Sequence, residues 1–114
     1  MSSKRIAQVN ELIKQELGYL FVREIEFPKG MIVTITRVES SPELNDAEVY
    51  ITVLPQNRRG TALETIKKKR GSIQHLLIRR LSMRSVPQLR YAIDTETEKA
   101  DELEALFDAV KKEL

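Results

Sequence analysis

The chain contains no cysteine, no tryptophan and a single histidine among its 114 residues. The first absence excludes a disulfide framework, thiolate metal ligation and a cysteine nucleophile, and it agrees with a reducing compartment. One histidine, His75, excludes a metal site built on two histidines. Aromatic residues are only 5% of the chain, so a base-stacking platform has little to be built from. No apolar run approaches the length needed to cross a bilayer, and the start "MSSKRIAQVNELIK" has no apolar segment followed by a small-residue cleavage site. These features place the expected location in the cytoplasm. With 41% apolar and 32% charged residues, the chain reads as a single globular domain over residues 1–114.

What is present is unevenly distributed charge. Residues 1–57 carry six Lys/Arg and eight Asp/Glu, residues 58–90 ten and one, and residues 91–114 three and eight, so a formal net charge of +2 hides a strongly basic middle. Its densest part is "KKKRGSIQHLLIRRLSMR", Lys67 to Arg84. Segregation of this kind steers and binds anions, and a polyanion is the partner it suggests.

The periodicity of apolar residues gives an element order. Ile6, Val9, Ile13, Leu17, Leu20 and Phe21 recur at three- and four-residue steps, predicting a helix over 4–22. "FPKG" stops it and turns the chain. "MIVTITRV" and "AEVYITVL" alternate apolar and polar residues, predicting two half-buried strands joined by the turn-rich "ESSPELND". Thr61 followed by Glu64 has the spacing of a capping box, so a helix is expected from there to "KKKRG". Gly71 is expected to break it, Ser72 to cap a second helix, and Ile73, Leu76, Leu77 and Leu81 to form that helix's inner stripe. A third strand in "SVPQLRYAID" places Leu89, Tyr91 and Ile93 on one face. A last helix in "TETEKADELEALFDAVKKEL" has acids at its start, lysines at its end, and apolar residues at Ala100, Leu103, Leu106, Phe107, Val110 and Leu114. The order α-β-β-α-kink-α-β-α is that of an α+β domain with a three-stranded sheet and helices packed on one face.

Two helices separated by a glycine-containing break between strands two and three resemble a type II KH domain. In more detail, "RIAQVNELIKQELGYLFVREI", "EVYITVL" and above all "LSMRSVPQLRYAID" resemble the bacterial ribosome-binding factor A family over nearly the whole chain. That family replaces the GxxG loop of KH domains by an Ala-x-Gly kink. Gly71 matches, while Lys69 stands where alanine is usual, and Ser72 and Gln74 stand where an aromatic and an arginine are common. The resemblance implies a non-enzymatic, bacterial, monomeric assembly factor without cofactor or metal. Such a factor binds the free, immature small ribosomal subunit through its ribosomal RNA and assists late maturation, including that of the RNA's 5′ end. A ribosome-assembly GTPase is the further partner it implies, and no membrane is involved.

On this reading Lys67, Lys68, Lys69 and Arg70 contact phosphates at the kink, and Gly71 lets the backbone approach. Arg79, Arg80 and Arg84 extend the track, Arg58 and Arg59 flank it, and Lys4 and Arg5 are peripheral contacts. Two other readings of the same charge stand beside it: a module that binds an acidic protein, and a general single-stranded RNA-binding KH protein. The acids Asp101, Glu104 and Asp108 share a helical face but have no histidine, glycine-rich loop or nucleophile near them in sequence, and read as solvated.

Overall fold

The structure is a computed structural model in which residues 3–113 are described. Helix α1 spans Ser3–Glu24, strand β1 Ile32–Ser40 and strand β2 Asp46–Leu54; a short 3-10 turn at Gln56–Arg58 leads into helix α2, Arg59–Arg80; strand β3 is Gln88–Ile93 and helix α3 Thr95–Glu113. The sheet order is β1-β2-β3, with β1 and β2 antiparallel and β2 and β3 parallel. The α+β class and the three-stranded sheet are as expected from the sequence.

Helix α1 buries Val9, Ile13, Leu17, Leu20 and Phe21, five of the six residues of its apolar stripe. The turn after it uses Gly30 at a φ of 85°, a left-handed conformation that glycine adopts without a Cβ penalty. In the central strand β2, Ala47, Val49, Ile51 and Val53 are buried under the helices and alternate with half-buried residues on the other face. Strand β1 changes register between Ile35 and Arg37. This bulge shifts the inward side from odd to even numbering, so that Val38 enters the core.

Two expectations are corrected. There is no break at Gly71: α2 is one helix of 22 residues, and Gly71 has no positive φ. Its buried residues Ala62, Ile66, Ile73 and Leu77 lie four, seven and four apart, so a single helical phase serves the core on both sides of the glycine. Burying that face offsets the roughly 1 kcal/mol that a helix-interior glycine costs. The expected caps fall away as well, because the helix already begins at Arg59 and Ser72 has no helix start to cap. Thr61 lies inside the helix and its carbonyl accepts from Thr65 Oγ1, and Ser72 Oγ donates back to the carbonyl of Lys69.

The second correction concerns α3, which does not pack on the apolar face with α1 and α2. Glu98 is its only buried residue among those described, and Leu103, Leu106, Phe107 and Val110 are 54%, 61%, 59% and 48% exposed. Leu114, the last residue of the expected stripe, lies outside the described residues. The reason is room. Three strands about 4.8 Å apart make a face only some 10–15 Å wide, and two helices packed at the usual 8–10 Å cover it.

Candidate nucleic-acid interface

An α-helix advances about 100° per residue, so four consecutive cations cannot share a face. In α2, Lys67, Lys68, Lys69 and Arg70 are all exposed, and they divide around the helix. Lys67 and Arg70 lean towards β3. With Leu63, Ile66, Leu89, Arg90 and Tyr91 they line a groove of about 330 Å³ between α2 and the free edge of the sheet. Lys68 and Lys69 lean the other way, towards the C-terminal end of α1, where Glu24 and Glu26 share the surface.

The groove between α2 and β3 has an apolar floor and a cationic rim. Ile66 is fully buried and Leu89 nearly so. Arg90 stands on the rim, 3.6 Å from Glu48 across the strand pair, whereas no ion pair or hydrogen bond among the described residues holds Lys67 or Arg70. Tyr91 lies against the Phe21 ring, 6.0 Å between centroids. Its hydroxyl has no hydrogen-bond partner, and burial pushes that hydroxyl well above the usual phenol range, so it stays protonated. Gln74 ties the two walls together: its Nε2 donates to the Pro87 carbonyl at 3.0 Å and its Oε1 accepts from the Leu89 N–H at 3.0 Å. The side amide that resembled a departure from the family thus satisfies the sheet edge. Gly71, exposed and with nothing within 4 Å of where a Cβ would stand, leaves the helix surface bare beside Lys67. It provides no second helix N-terminus for a phosphate, because the helix is unbroken.

The remaining cations are scattered, and several already have partners. Arg80 is bound to Glu16 of α1 and lies over the Tyr19 ring at 4.3 Å; the carboxylate hydrogen bond raises its pKa further, and it works as a tie between the two helices. Arg59 donates to Glu98 Oε1 at 3.0 Å and to the Gln56 carbonyl at 2.9 Å, which fastens the root of α3. Arg58 is half-buried in the 3-10 turn. Arg79 is exposed beside Tyr19 and Arg23. Arg84 is exposed in the loop before β3, in a depression shared with Arg5 and Glu43, while Lys4 is exposed at the start of α1. The continuous track expected from Lys67 through Arg84 is therefore several separate patches. Lys67 and Arg70 are the unpaired cations, among the described residues, that share the groove against β3, whereas Lys68 and Lys69 line a depression shared with Glu24 and Glu26.

Arg90 is the member of the rim that charge counting alone did not single out. The signal was there in the alternation of "QLRYAI": if Leu89 faces the core, Arg90 stands on the strand's open side. What alternation could not say is that β3 lies at a sheet edge beside α2.

The cationic groove lies in a mixed sheet roofed by two helices, and residues 5–107 match the family model of ribosome-binding factor A. The chain belongs to the ribosome-binding factor A family. A ribosome-binding factor A from Nitrosococcus oceani is 36% identical over 111 residues, covering 96% of this chain and 87% of that relative. The crystal structure of ribosome-binding factor A from Thermus thermophilus superposes with a TM-score of 0.65 at 20% identity, covering 77% of this chain and 94% of that one. A homology model of the Thermus thermophilus ribosome binding factor A, fitted into a cryo-EM map of a 30S complex of that protein, gives a TM-score of 0.65 at 22% identity, covering 76% of this chain and 92% of that chain. Among the described residues of the present member of the family, no helix is long and apolar enough to cross a membrane, and no cluster of three or more acidic or histidine side chains is placed to hold a metal ion.

Proposed function

We propose that the chain is a ribosome assembly factor that binds the free, immature small subunit through its ribosomal RNA, without catalytic turnover, and assists late maturation, including that of the RNA's 5′ end. The observation that carries this reading is the groove between α2 and β3 in a member of the ribosome-binding factor A family: Lys67 and Arg70 are unpaired and exposed on its rim, with Arg90 at the strand edge. Unpaired cations release counterions when a phosphate replaces solvent, whereas Arg59 and Arg80 would first have to give up a carboxylate. The apolar floor admits a sugar or base edge. Phosphate contacts of this sort position the protein and leave sequence selection to the fold of the RNA. Bare Gly71 lets a strand lie close to the helix beside Lys67.

Titration of single-stranded ribosomal RNA fragments against salt tests the reading. Each phosphate contact should contribute about −0.7 to the slope of log affinity against log salt. The double charge reversal of Lys67 and Arg70 to glutamate should flatten the slope by about 1.4, while Arg79→Glu on the far flank changes it by much less. A flat salt response in the unmodified protein, or equal effects from both flanks, would falsify the assignment of the groove. Sedimentation of a lysate supplies the cellular test: the protein should travel with free small subunits and be absent from complete ribosomes, and cells lacking it should accumulate small-subunit RNA with unprocessed 5′ ends.

A further inference from the structure

A three-stranded sheet has two edges, and this one covers them unequally. On β3 the Gln74 side chain accepts from the Leu89 N–H. At the far end of β1 the Ser40 N–H, which points away from β2, donates to Asn10 Oδ1 of α1 at 2.9 Å. The first half of β1 has no such cover. In an antiparallel pair, opposed residues alternate between bonding to each other and turning their N–H and C=O groups away. The Asp94 N–H, just past the end of β3, donates to the Ile51 carbonyl, so Ile51, and Val53 two residues on, turn towards that side. Their partners across the pair, Ile35 and Val33, therefore face outward. Among the described residues no hydrogen bond reaches those outward groups.

The open stretch is also apolar and flanked by a groove. From Ile32 to Ile35 it carries no charge and no proline, the devices that usually guard an edge, and the bulge that bends the strand comes only after Ile35. Helix α1 and the edge enclose about 380 Å³ between walls that include Gly18, Tyr19, Val22, Val33 and Ile35. Gly18 has nothing within 4 Å of where a Cβ would stand, so the helix wall is hollow there. The Tyr19 ring is held in place by the guanidinium groups of Arg23 and Arg80, at 5.3 and 4.3 Å from its centre. Val22 is 84% exposed, and Ile32, on the opposite face of the strand, is 64% exposed. The charged groups at the groove, Glu11 and Lys14, are of opposite sign.

We infer that this edge takes an extended segment of another protein as a fourth strand beside β1. Main-chain groups set along a strand are satisfied in series by a second strand, which here gains the N–H and C=O groups of both Val33 and Ile35. Side chains two apart on the segment point into the groove against Gly18, Tyr19 and Val22, and the one between them lies beside Ile32. The occupant is therefore short, apolar at alternate positions and without a charge requirement. A nucleic acid is ill matched to the groove, which sets one cation beside one acid. A second copy is opposed by its own α1. Two β1 edges paired at about 4.8 Å would bring the two flanking helices closer than the roughly 8–10 Å that packed helices need. The groove lies on the sheet edge opposite to that of Lys67 and Arg70, so RNA and the segment can be bound together, and neither reading rests on the other.

Nuclear magnetic resonance of the full chain, titrated with a capped peptide that alternates valine and serine, reads the site directly. The amides of Val33 and Ile35 should shift and become protected from hydrogen exchange, while the protection of Thr34, whose amide is turned towards β2, stays as it was. The same peptide N-methylated at the residues that face the edge should not bind, and this arm leaves the protein itself unaltered. Gly18→Leu fills the hollow with a better helix former. It should weaken peptide binding by about tenfold or more, the loss of one buried apolar side chain, with an unchanged circular dichroism spectrum and unchanged RNA affinity. No response at Val33 and Ile35 with millimolar peptide, equal binding of the N-methylated peptide, or indifference to Gly18→Leu would each overturn the inference. Displacement of the peptide by single-stranded RNA would overturn it in favour of a nucleic acid. Protection of the two amides on concentrating the chain alone would overturn it in favour of a second copy.

Discussion

Helices α1 and α3 are written in nearly the same way and end in opposite circumstances. Both are about twenty residues long, and both carry apolar side chains at three- and four-residue steps. In α1, Ile13 and Leu17 are completely buried, and in α3 the corresponding Leu103 and Phe107 are more than half exposed. Amphipathic periodicity thus says that a helix has a face to cover and leaves open what covers it. Helix α1 reaches the sheet first and shares it with α2. Helix α3 follows the last strand, finds the face occupied, and is held at its root by Asp94 and Glu98 instead of by hydrocarbon.

The contrast can be broken most severely in α1. Leu17→Ala should cost about 2–5 kcal/mol, the lost transfer free energy plus a cavity in a core that has little freedom to collapse; urea unfolding measures it. Next comes the root of α3. Asp94→Ala removes the helix cap and the acceptor of three hydrogen bonds, and should cost about 1–2 kcal/mol. This site also has a sign in pH. Burial alone would raise the Asp94 pKa, but the hydrogen bonds from Thr36 and Thr97 and the charge of Arg37 outweigh it and hold the carboxyl at about 2, below the usual carboxylate range. A depressed folded pKa means that the stabilisation is fully present above pH 4 and fades as pH falls towards 2. Asp94→Asn should therefore flatten the acid limb of the stability curve, and an unchanged limb would rule the site out as its source.

A smaller effect of opposite direction tests the unbroken α2. Gly71→Ala should stabilise the domain by up to about 1 kcal/mol, because alanine is the better helix former and meets no neighbour there. Destabilisation by a similar amount would show that the chain needs a bend at this point. Smallest of all, Leu103→Ala should change stability by less than about 0.5 kcal/mol, in keeping with an exposed position. A core-sized loss there would end the comparison with α1.

Much of the architecture was legible because local patterns carried it. The stripe of α1, the alternation of β2, the turn at Gly30 and the acid-first, lysine-last signature of α3 each depend on residues near one another in sequence. The break at Gly71 was misread for a related reason. A glycine after four cations has the local form of a helix end, but the phase shared by Ala62, Ile66, Ile73 and Leu77 keeps the helix whole. The site was only partly legible. Composition identified a basic region, yet the rotation of 100° per residue separates Lys67 and Arg70 from Lys68 and Lys69, and carboxylates distant in sequence, Glu16 and Glu98, take up Arg80 and Arg59.

The sequence by itself determined the α+β class, the three-stranded sheet and the concentration of positive charge, since periodicity and composition act over neighbouring residues. Only the tertiary structure decided which cations stay free, which strand edge joins α2 in a groove, and which apolar stripe remains uncovered. Those outcomes depend on how many helices a three-stranded sheet can cover and on which distant side chains meet, and neither quantity is written in any local stretch of the chain.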